Sequence, residues 1–415
     1  MRAISSITDP EKLVDAYYGG IGALIPVGHY CSASRRNVAP GEYILTRSSR
    51  FTEHPNPWTE RHRLPRMRGG VLGEAIYANR PMIIDDLPQR LAPDDPAHFY
   101  LEGFQSMISL PQYDNGESLN ITALLIEPER EFDRSIIPVL HWHAALFGRG
   151  TTNQVLRNQL KDALDELDRE LQVVGQIQRS LLPAKLPNIP GFDLAAHYLT
   201  SARAGGDYYD FFPLDGGKWG AFIADVSGHG TPAAVLMAIT HALAHARPDA
   251  QTPPAALLAY LNERLTRAYT RGGTFVTAFY AILDPTTRTL TFSRAGHNPP
   301  RLVRDGKVIS IDDCGGLPLG IDPTQTYEQA TLKLEHGDVL LLYTDGITEA
   351  VAPVTKPDES RQLFGVRRLD ELVLSCASAE TSGRECIDRI RAALAEFTGN
   401  AAPNDDQTLI AMTCK

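Results

Sequence analysis

The chain has 415 residues, of which 43% are hydrophobic and 22% charged, and its formal net charge is −10 with an isoelectric point near 5.7. A chain of this length is longer than one hydrophobic core usually supports, so two or three domains are predicted. The composition is typical of a globular protein rather than a disordered or membrane protein. The acidic balance, with no basic stripe, argues against nucleic-acid binding.

The compartment is indicated by what the sequence does not contain. No apolar run reaches the roughly 18 residues that span a bilayer, and the N-terminal segment lacks the basic and apolar blocks of a secretory signal. The cysteines are scattered, odd in number and never in a Cys-x-x-Cys pair: Cys31, Cys314, Cys376, Cys386 and Cys414. They argue against a cysteine zinc site or a disulfide framework. We therefore expect a cytoplasmic protein with no membrane partner.

The first region, residues 12–150, alternates helical and strand-like patterns. "GGVLGEAIYANRPMIIDDL" predicts a helix that turns at "ANRP" and continues into a short strand. "SMISLPQYD" and "ITALLIEPE" predict two strands joined by a turn, and "SIIPVLHWHAALFG" has apolar residues at helical spacing. The alternation indicates a compact module of helices and strands.

The second region, residues 152–185, is predicted to be a helical linker with a heptad seam. Seven residues of this segment are spaced alternately four and three positions apart: Leu160, Leu164, Leu167, Leu171, Val174, Gln178 and Leu181. This seam predicts a dimeric coiled coil in which Gln178 sets the register, and the alternative is one amphipathic helix packed on a neighbouring domain. The prolines of "LLPAKLPNIPG" end the helix near Leu182 and mark a domain boundary.

The third region, residues 186–415, is predicted to be mostly antiparallel strands with tight turns. Hairpins are predicted in "TFVTAFYAILDPTTRTLTFSRAG", in "RLVRDGKVISI" and, turning at His336-Gly337, in "ATLKLEHGDVLLLYTDG". Between them lie helical stretches, one with Thr231 as the expected N-cap and one with Ile387, Ile390 and Leu394 on one face. The mixture predicts packed sheets with helices outside.

Four acidic motifs lie at the ends of apolar strands in this third region. They offer, in chain order, Asp207 and Asp210 in "AGGDYYDFF", Asp225 in "FIADVSGHG", Asp345 in "VLLLYTDGITEA", and Asp405 and Asp406 in "NAAPNDDQTLIAM". An ionised carboxylate at the edge of a core is costly unless it is paired or binds a cation. Any one of these residues alone is explained as a turn former. Together they predict a shared site.

The residue types of that site indicate its chemistry. Carboxylates without His or Cys ligands suit Mg²⁺ or Mn²⁺ rather than zinc. Two such ions bridged by one carboxylate activate water and neutralise a phosphoryl group, so hydrolysis of a phosphate ester fits these residues. A two-metal nuclease would use the same chemistry, although the acidic charge disfavours it.

In this order, the motifs resemble the metal-dependent protein phosphatase (PPM) family, and in particular its bacterial SpoIIE/RsbU-like branch. The resemblance rests on "QIQRSLLP", "AGGDYYDFF", "ADVSGHG", "RAGHNPP", "GLPLG", "LLLYTDGITEA", "FG" at 364–365 and "DDQT", over about residues 176–415. It implies a β-sandwich flanked by helices and a centre of two Mn²⁺ or Mg²⁺ ions. It also implies a phosphoserine or phosphothreonine protein substrate, commonly a STAS-type anti-anti-sigma factor.

The resemblance further implies a metal-binding role for each acid. Asp225 is expected to bridge both ions, and the carbonyl of Val226 to bind the second. Asp345 and Asp405 are expected to bind the first ion, with Asp406 as the alternative to Asp405.

The resemblance also bears on polar residues of the motifs that are not expected to bind the ions directly. Asp207 is expected to hold a water of the metal centre. Eukaryotic-type members carry a histidine two residues after the bridging aspartate, where this chain has Ser227, so the general acid is left open. His229 is better explained as a turn residue, and His297 as a structural or cleft-lining residue.

The first region resembles a GAF domain over about residues 12–150. The resemblance rests on "GVLGEAIYANRPMIIDDL", "SMISLP" and "ALLIEPEREFDRSIIPVLHWHAALF". GAF domains bind small ligands or serve as dimerising modules, so an unidentified small ligand is implied. His141 and His143, two apart on a helix, point to different sides and are not expected to bind a metal or haem together.

The expected fold class is therefore α+β: a GAF-like α/β sensor, a coiled-coil helical linker and a PPM-type β-sandwich flanked by helices. The expected function is a protein serine/threonine phosphatase that is regulated by the sensor and forms a homodimer through the linker. Two alternatives remain open. One is a non-catalytic phosphatase-like module that binds a partner protein. The other is a metal enzyme acting on a small phosphorylated molecule or a nucleic acid.

Overall fold

The computed structural model describes residues 10–25, 28–114, 116–130, 133–246, 252–270, 272–353, 361–376 and 382–415. The chain divides into two compact units, Met1–Leu164 and Asp165–Lys415, and the division falls inside the expected linker helix. Within these described ranges, no helix is both long and apolar enough to cross a membrane.

The N-terminal unit is a layered arrangement of one sheet and short helices. Its elements are α1 (Pro10–Leu24), β1 (His29–Ser34), β2 (Glu42–Ser48), β3 (Arg66–Arg68), α2 (Gly70–Tyr77), β4 (Met82–Ile84), α3 (Leu87–Arg90), α4 (His98–Leu101), β5 (Ser106–Asp114), β6 (Glu117–Ile126) and the first part of α5 (Ile137–Ser180). The helix and strands predicted from "GGVLGEAIY", "MIID", "SMISLPQYD" and "ITALLIEPE" are α2, β4, β5 and β6, so those local predictions are confirmed.

The sheet of this unit is antiparallel, with strand order β3-β2-β1-β6-β5-β4. One face buries α2 residues such as Leu72 and Ile76, and the opposite face packs against α1 and the start of α5. Successive strand residues point to opposite faces, so the apolar runs of β5 and β6 serve both cores. His143 of α5 stacks on Tyr17 of α1, with ring centroids 5.2 Å apart, and is a packing residue.

Helix α5 begins earlier than the predicted linker. It extends over 44 residues because the helical pattern of "SIIPVLHWHAALFG" continues into the heptad segment without a break, and it ends before Pro183. Leu160, Leu164 and Leu167 expose 61%, 56% and 51% of their surface, which is unusual for leucine in three successive positions of one seam.

The C-terminal unit contains the rest of the regular structure. Its elements after α5 are β7 (Phe192–Leu199), β8 (Tyr208–Leu214), β9 (Lys218–Val226), α6 (Thr231–His245), α7 (Pro254–Ala268), β10 (Val276–Asp284), β11 (Thr289–Ala295), β12 (Arg301–Arg304), β13 (Lys307–Ser310), β14 (Gln329–Lys333), β15 (Val339–Tyr343), α8 (Asp345–Thr348), α9 (Gly365–Ser375), α10 (Gly383–Phe397) and β16 (Gln407–Cys414).

These elements form a four-layer sandwich. One antiparallel sheet has the order β14-β11-β10-β9-β8, and the other has the order β13-β12-β15-β16-β7. The central core lies between the sheets, where Ile223 and Phe279 meet Leu340 and Ile410. On the outer faces, α6 and α7 cover the first sheet, and α9 and α10 cover the second. The expected sandwich flanked by helices is confirmed.

Two local predictions for this unit are wrong. The expected hairpin around His336-Gly337 does not form, because β14 pairs with β11 in one sheet and β15 pairs with β12 and β16 in the other. β15 is buried along its whole length and needs a central position, whereas β14 exposes alternate residues and suits an edge. The N-cap of α6 is Gly230 rather than Thr231, because its φ of 78° is a conformation that glycine adopts easily.

Candidate active site

Five acidic residues meet where the same ends of the two sheets come together. Asp207 immediately precedes β8, and Asp225 is the last residue but one of β9, the antiparallel neighbour of β8. Asp345 opens α8, separated from β15 only by Thr344, and Asp405 and Asp406 directly precede β16, the antiparallel neighbour of β15. Antiparallel pairing places each pair of strand ends side by side. The structure thus brings the predicted acids together, except for Asp210.

The carboxylate of Asp207 is held by two threonines of the opposite sheet. Asp207 is 1% exposed, and its Oδ2 accepts hydrogen bonds from Thr344 Oγ1 at 2.8 Å and from Thr408 Oγ1 at 2.5 Å. Burial first, and then the charge of Asp225, raises its pKa well above the usual range. These two threonines were not predicted from the sequence, although they lie inside "YTDG" and "DDQT". A threonine near an aspartate in sequence does not indicate which side chain its hydroxyl will contact.

Asp225 lies at the centre of the acidic cluster. Burial raises its pKa to about 7, and the next largest causes are the charges of Asp345, Asp405 and Asp406. Burial followed by the charge of Asp405 likewise raises the pKa of Asp345 to about 6. Ionising several buried carboxylates that lie close together is unfavourable, because their negative charges repel one another and burial removes solvation. A cation among them would offset that repulsion, so the donor set fits hard divalent ions.

The two adjacent acids before β16 have different surroundings. Asp406 is 4% exposed and accepts hydrogen bonds from Ser201 N at 2.7 Å, Ser201 Oγ at 3.2 Å and Gly206 N at 2.6 Å. Asp405 is exposed, and its carboxylate accepts a hydrogen bond from the amide of Asp406 at 2.8 Å. The side chain of Asp406 therefore anchors the 201–206 loop, whereas that of Asp405 has free coordination capacity.

Two glycines permit the close backbone approaches of the site. A Cβ on Gly206 would lie 2.7 Å from the carbonyl oxygen of Val226, and a Cβ on Gly346 would lie 2.0 Å from the carbonyl oxygen of Asp406. Both distances are far inside van der Waals contact, so any larger residue would push the acid-bearing segments apart. The glycines of "AGGD" and "TDG" are therefore packing requirements as well as turn residues.

The polar residues after Asp225 have structural contacts. Ser227 exchanges two hydrogen bonds of 2.9 Å with the backbone of Phe275, one through its amide and one through its hydroxyl oxygen. His229 is exposed, and burial raises the pKa of the nearby Asp405, a rise that His229 opposes. His297 is 2% exposed, its Nδ1 lies 2.8 Å from Thr277 Oγ1, and burial lowers its pKa to about 3.

The end of α5 packs directly on the loop that leads to Asp207. Gln178 is 3% exposed, its Oε1 accepts from Gly205 N at 2.9 Å, and its Nε2 donates to the carbonyl of the same residue. A Cβ on Gly175 would lie 2.0 Å from the carbonyl oxygen of Arg203. The expectation that Gln178 sets a coiled-coil register is wrong, because its side chain forms hydrogen bonds with the buried backbone N–H and C=O of Gly205 in its own unit.

Comparisons with known proteins find sequences similar to parts of this chain. Residues 215–415 match the profile of the family Stage II sporulation protein E (SpoIIE), a range that includes Asp225, Asp345 and Asp405 and begins after Asp207. The chain is 31% identical over 191 residues to Phosphoserine phosphatase RsbU of Bacillus subtilis, covering 46% of this chain and 56% of that protein. It is 26% identical over 293 residues to Protein IcfG of Synechocystis sp., covering 64% of this chain and 44% of that protein.

A solved structure shows the same fold. The SiaA-PP2C domain of Pseudomonas aeruginosa superposes with a TM-score of 0.52 at 21% identity, covering 61% of this chain and 99% of that one. The chain spans about half the length of the curated relatives it matches. The C-terminal unit is therefore similar in sequence to SpoIIE-family phosphatases and similar in fold to a PP2C domain.

Proposed function

We propose that this chain is a metal-dependent protein serine/threonine phosphatase whose N-terminal unit is a GAF-like sensor. The observation that carries the proposal is the convergence of Asp207, Asp225, Asp345 and Asp405 at one edge of the sandwich, with raised pKa values. Such a cluster is costly for the fold unless it binds cations. The name of the RsbU relative, a phosphoserine phosphatase, supports the same chemistry.

The acids divide into groups that would hold two Mn²⁺ or Mg²⁺ ions. Asp225 would bridge both ions, Asp345 and Asp405 would bind the first, and the carbonyl of Val226 would bind the second. When bound, such ions neutralise phosphoryl oxygens and lower the pKa of water, which is the chemistry that phosphate-ester hydrolysis needs. Asp207, fixed by its two threonines, would orient a water molecule.

The proposed substrate is a protein phosphorylated on serine or threonine, of the STAS-type anti-anti-sigma class. The alternatives are a phosphatase of small molecules and a non-catalytic module that binds a partner. Every acid that the resemblance requires is present and positioned at the same sheet edge, which favours an enzyme. Buried, free cysteines suit the reducing cytoplasm that we propose as its location.

The experiment that tests this function compares three peptides of one sequence, bearing phosphoserine, phosphothreonine or phosphotyrosine, with the intact chain and Mn²⁺. We expect phosphate release from the first two and little from the third. Release from para-nitrophenyl phosphate alone would favour the small-molecule alternative. Binding of the peptides without any hydrolysis would favour the non-catalytic module.

The neighbouring residues Asp405 and Asp406 give a matched pair of variants. We expect Asp405→Asn to keep the melting temperature within a few degrees and to reduce turnover at least about a hundredfold, because it removes a charged ligand. We expect Asp406→Asn to lower the free energy of unfolding by about 2–3 kcal/mol, because an amide NH₂ would face the donors of Ser201 or Gly206. Calorimetry and steady-state kinetics on both variants check this, and the opposite pattern would assign the ligand to Asp406.

A cavity in the N-terminal unit supports the sensor proposal. Its lining includes Tyr18, Arg36, Arg47, Trp58 and Arg61. Arg36 pairs with Asp114 at 2.8 Å, whereas Arg47 and Arg61 have no carboxylate within ion-pair distance among the described residues. Burial, and then the neighbouring arginines, lowers the pKa of Arg61. The indole Nε1 of Trp58 is buried without a hydrogen-bond partner in the described part of the chain. A small anion would compensate these groups.

The paired and unpaired arginines make a second matched comparison. Measured without added anion, Arg47→Met is expected to leave the protection of β1 and β2 unchanged or higher, because the change removes a half-buried cation that has no carboxylate within ion-pair distance among the described residues. Arg36→Met should lower the local stability by about 1–2 kcal/mol, because Asp114 loses its partner. Hydrogen exchange on the intact chain measures both, and a strong loss of protection in Arg47→Met would indicate a structural role instead.

We also propose that the exposed leucines of α5 pair with those of a second copy of the chain. Leu160, Leu164 and Leu167 follow heptad spacing and have more than half of their surface exposed. A homodimer would bury this seam, and the end of the same helix contacts the loop before Asp207, so a change in the pairing would reach the acids. Light scattering on the intact chain tests the dimer, and a monomer at micromolar concentration would contradict it.

A further inference from the structure

A second cluster of potential ligands lies outside the acidic site. Asp210 belongs to β8, and His241 and His245 are one turn apart near the end of α6, so both imidazoles lie on the same helix face. His245 Nε2 lies 2.7 Å and His241 Nε2 lies 4.0 Å from Asp210 Oδ2. One ligand atom from each residue falls within 4.8 Å of the other two.

The surroundings of the cluster orient its members. The Tyr208 hydroxyl donates to Asp210 Oδ2 at 2.9 Å, and the Phe211 amide donates to Oδ1 at 2.7 Å. The rings of Tyr208 and Phe212 pack edge-on against His241 and His245. Metal sites depend on such partners, because they fix the direction of the ligand lone pairs.

The cluster is also accessible from solvent. The carboxyl of Asp210 is largely buried, whereas the side chains of His241 and His245 are 20% and 44% exposed, so an ion can enter from solvent.

An Asp–His ion pair alone explains only part of this arrangement. The contact between Asp210 and His245 is a hydrogen bond, but His241 is too far from the carboxylate to form one. The two imidazole centroids are 4.2 Å apart, so protonation of both would place like charges in contact. A divalent cation would use both rings and the carboxylate at once.

We propose that Asp210, His241 and His245 form a binding site for a divalent transition-metal ion, Zn²⁺ by ligand preference. Two imidazoles and one carboxylate, with a further position open to water, are a ligand set typical of zinc, whereas the acidic cluster offers only oxygen ligands. The site connects β8, which Asp207 precedes, to α6, which follows the Asp225–Ser227 turn. An ion there would join the strand that begins after Asp207 to the helix that follows Asp225 in the chain.

The test is a titration of the intact chain with Co²⁺ followed by visible absorption, in excess Mg²⁺ to occupy the acidic cluster. Nitrogen-ligated Co²⁺ of low coordination number absorbs strongly, so we expect one such ion per chain, displaced by Zn²⁺. The same signal should persist in Asp225→Asn, which alters the acidic cluster. It should also persist in the control His62→Ala, which removes an exposed histidine elsewhere.

The decisive variants remove one ligand each. His241→Asn preserves the hydrogen bond between Asp210 and His245, so it should fold normally and weaken Co²⁺ and Zn²⁺ binding by about tenfold or more. Asp210→Asn should do the same if circular dichroism confirms the fold. Wild-type affinity in His241→Asn, or no nitrogen-ligated Co²⁺ in the wild-type chain, would overturn the proposal. Because the signal does not depend on turnover, its failure is distinguishable from failure of the proposed phosphatase activity.

Discussion

Asp225→Asn is expected to reduce metal-dependent turnover at least about a thousandfold while leaving the metal-free protein as stable as the wild type or more stable. The loss follows because Asp225 is the carboxylate that we propose would contact both ions, each of which would supply several kcal/mol of transition-state stabilisation. The gain follows because burial and three neighbouring acids oppose ionisation of Asp225. Activity and stability therefore change in opposite directions.

The stability of the metal-free protein is expected to fall as the pH rises. The pKa of Asp225 is raised to about 7 in the folded protein, so the folded state holds this proton more tightly than the unfolded chain does. The corresponding stability is present at low pH and is lost as the pH rises through 7. Without metal, the wild-type melting temperature should fall between pH 6 and pH 8, and the fall should be smaller in Asp225→Asn.

Calorimetry in EDTA and kinetics in Mn²⁺ measure the two effects. Asp215→Asn, at an exposed position of the same unit, is the matched control and should change neither. A variant that unfolds more readily than the wild type at pH 8 would show that Asp225 has a structural partner instead of an electrostatic conflict. Wild-type turnover in the variant would remove Asp225 from the catalytic site.

Gly175→Ala is expected to detach the end of α5 from the loop before Asp207. The new Cβ would lie 2.0 Å from the carbonyl oxygen of Arg203, and a backbone group cannot turn away as a side chain can. Such overpacking costs about 1–3 kcal/mol. It would also strain the Gln178 hydrogen bonds to residue 205, so Asp207 would lose part of its positioning. A misplacement of about 1 Å costs up to about a hundredfold in rate, so we expect at least a tenfold loss of turnover.

Gln176→Ala, at the exposed neighbouring position of the same helix, is the control and should behave as the wild type. Hydrogen exchange in residues 201–206 reports whether the loop has loosened. Full activity in Gly175→Ala together with increased exchange in the loop would show that the helix contact stabilises the unit without positioning Asp207.

The acids were predictable because carboxylates at the ends of apolar strands are costly unless they are paired or bind a cation, and each motif has its own glycine or turn. The strand pattern likewise predicted most of the sandwich, since strands buried on both faces read as continuous apolar runs. What surrounds the acids was less visible. Thr344 and Thr408 act on Asp207 across the two sheets, over 137 and 201 residues of chain.

Other features depended on tertiary context in the same way. Gln178 fits a heptad seam by spacing, yet it lies in a buried contact of its own unit, because a polar seam residue and a buried loop partner look alike in sequence. The change of sheet between β14 and β15 was misread as a hairpin, because Gly337 favours a turn without specifying which strands pair. The cluster of Asp210 with His241 and His245 joins residues of a strand and a helix that share no local motif.

We propose above all that the acidic cluster binds divalent ions and hydrolyses phosphate esters. The most direct test is the hydrolysis of para-nitrophenyl phosphate by the intact chain in Mn²⁺, in Mg²⁺ and in EDTA, with the melting temperature recorded in each condition. We expect turnover that requires Mn²⁺ or Mg²⁺, stops in EDTA and accompanies a metal-induced rise in melting temperature. Equal turnover in EDTA, or neither turnover nor a change in melting temperature with either metal, would contradict it.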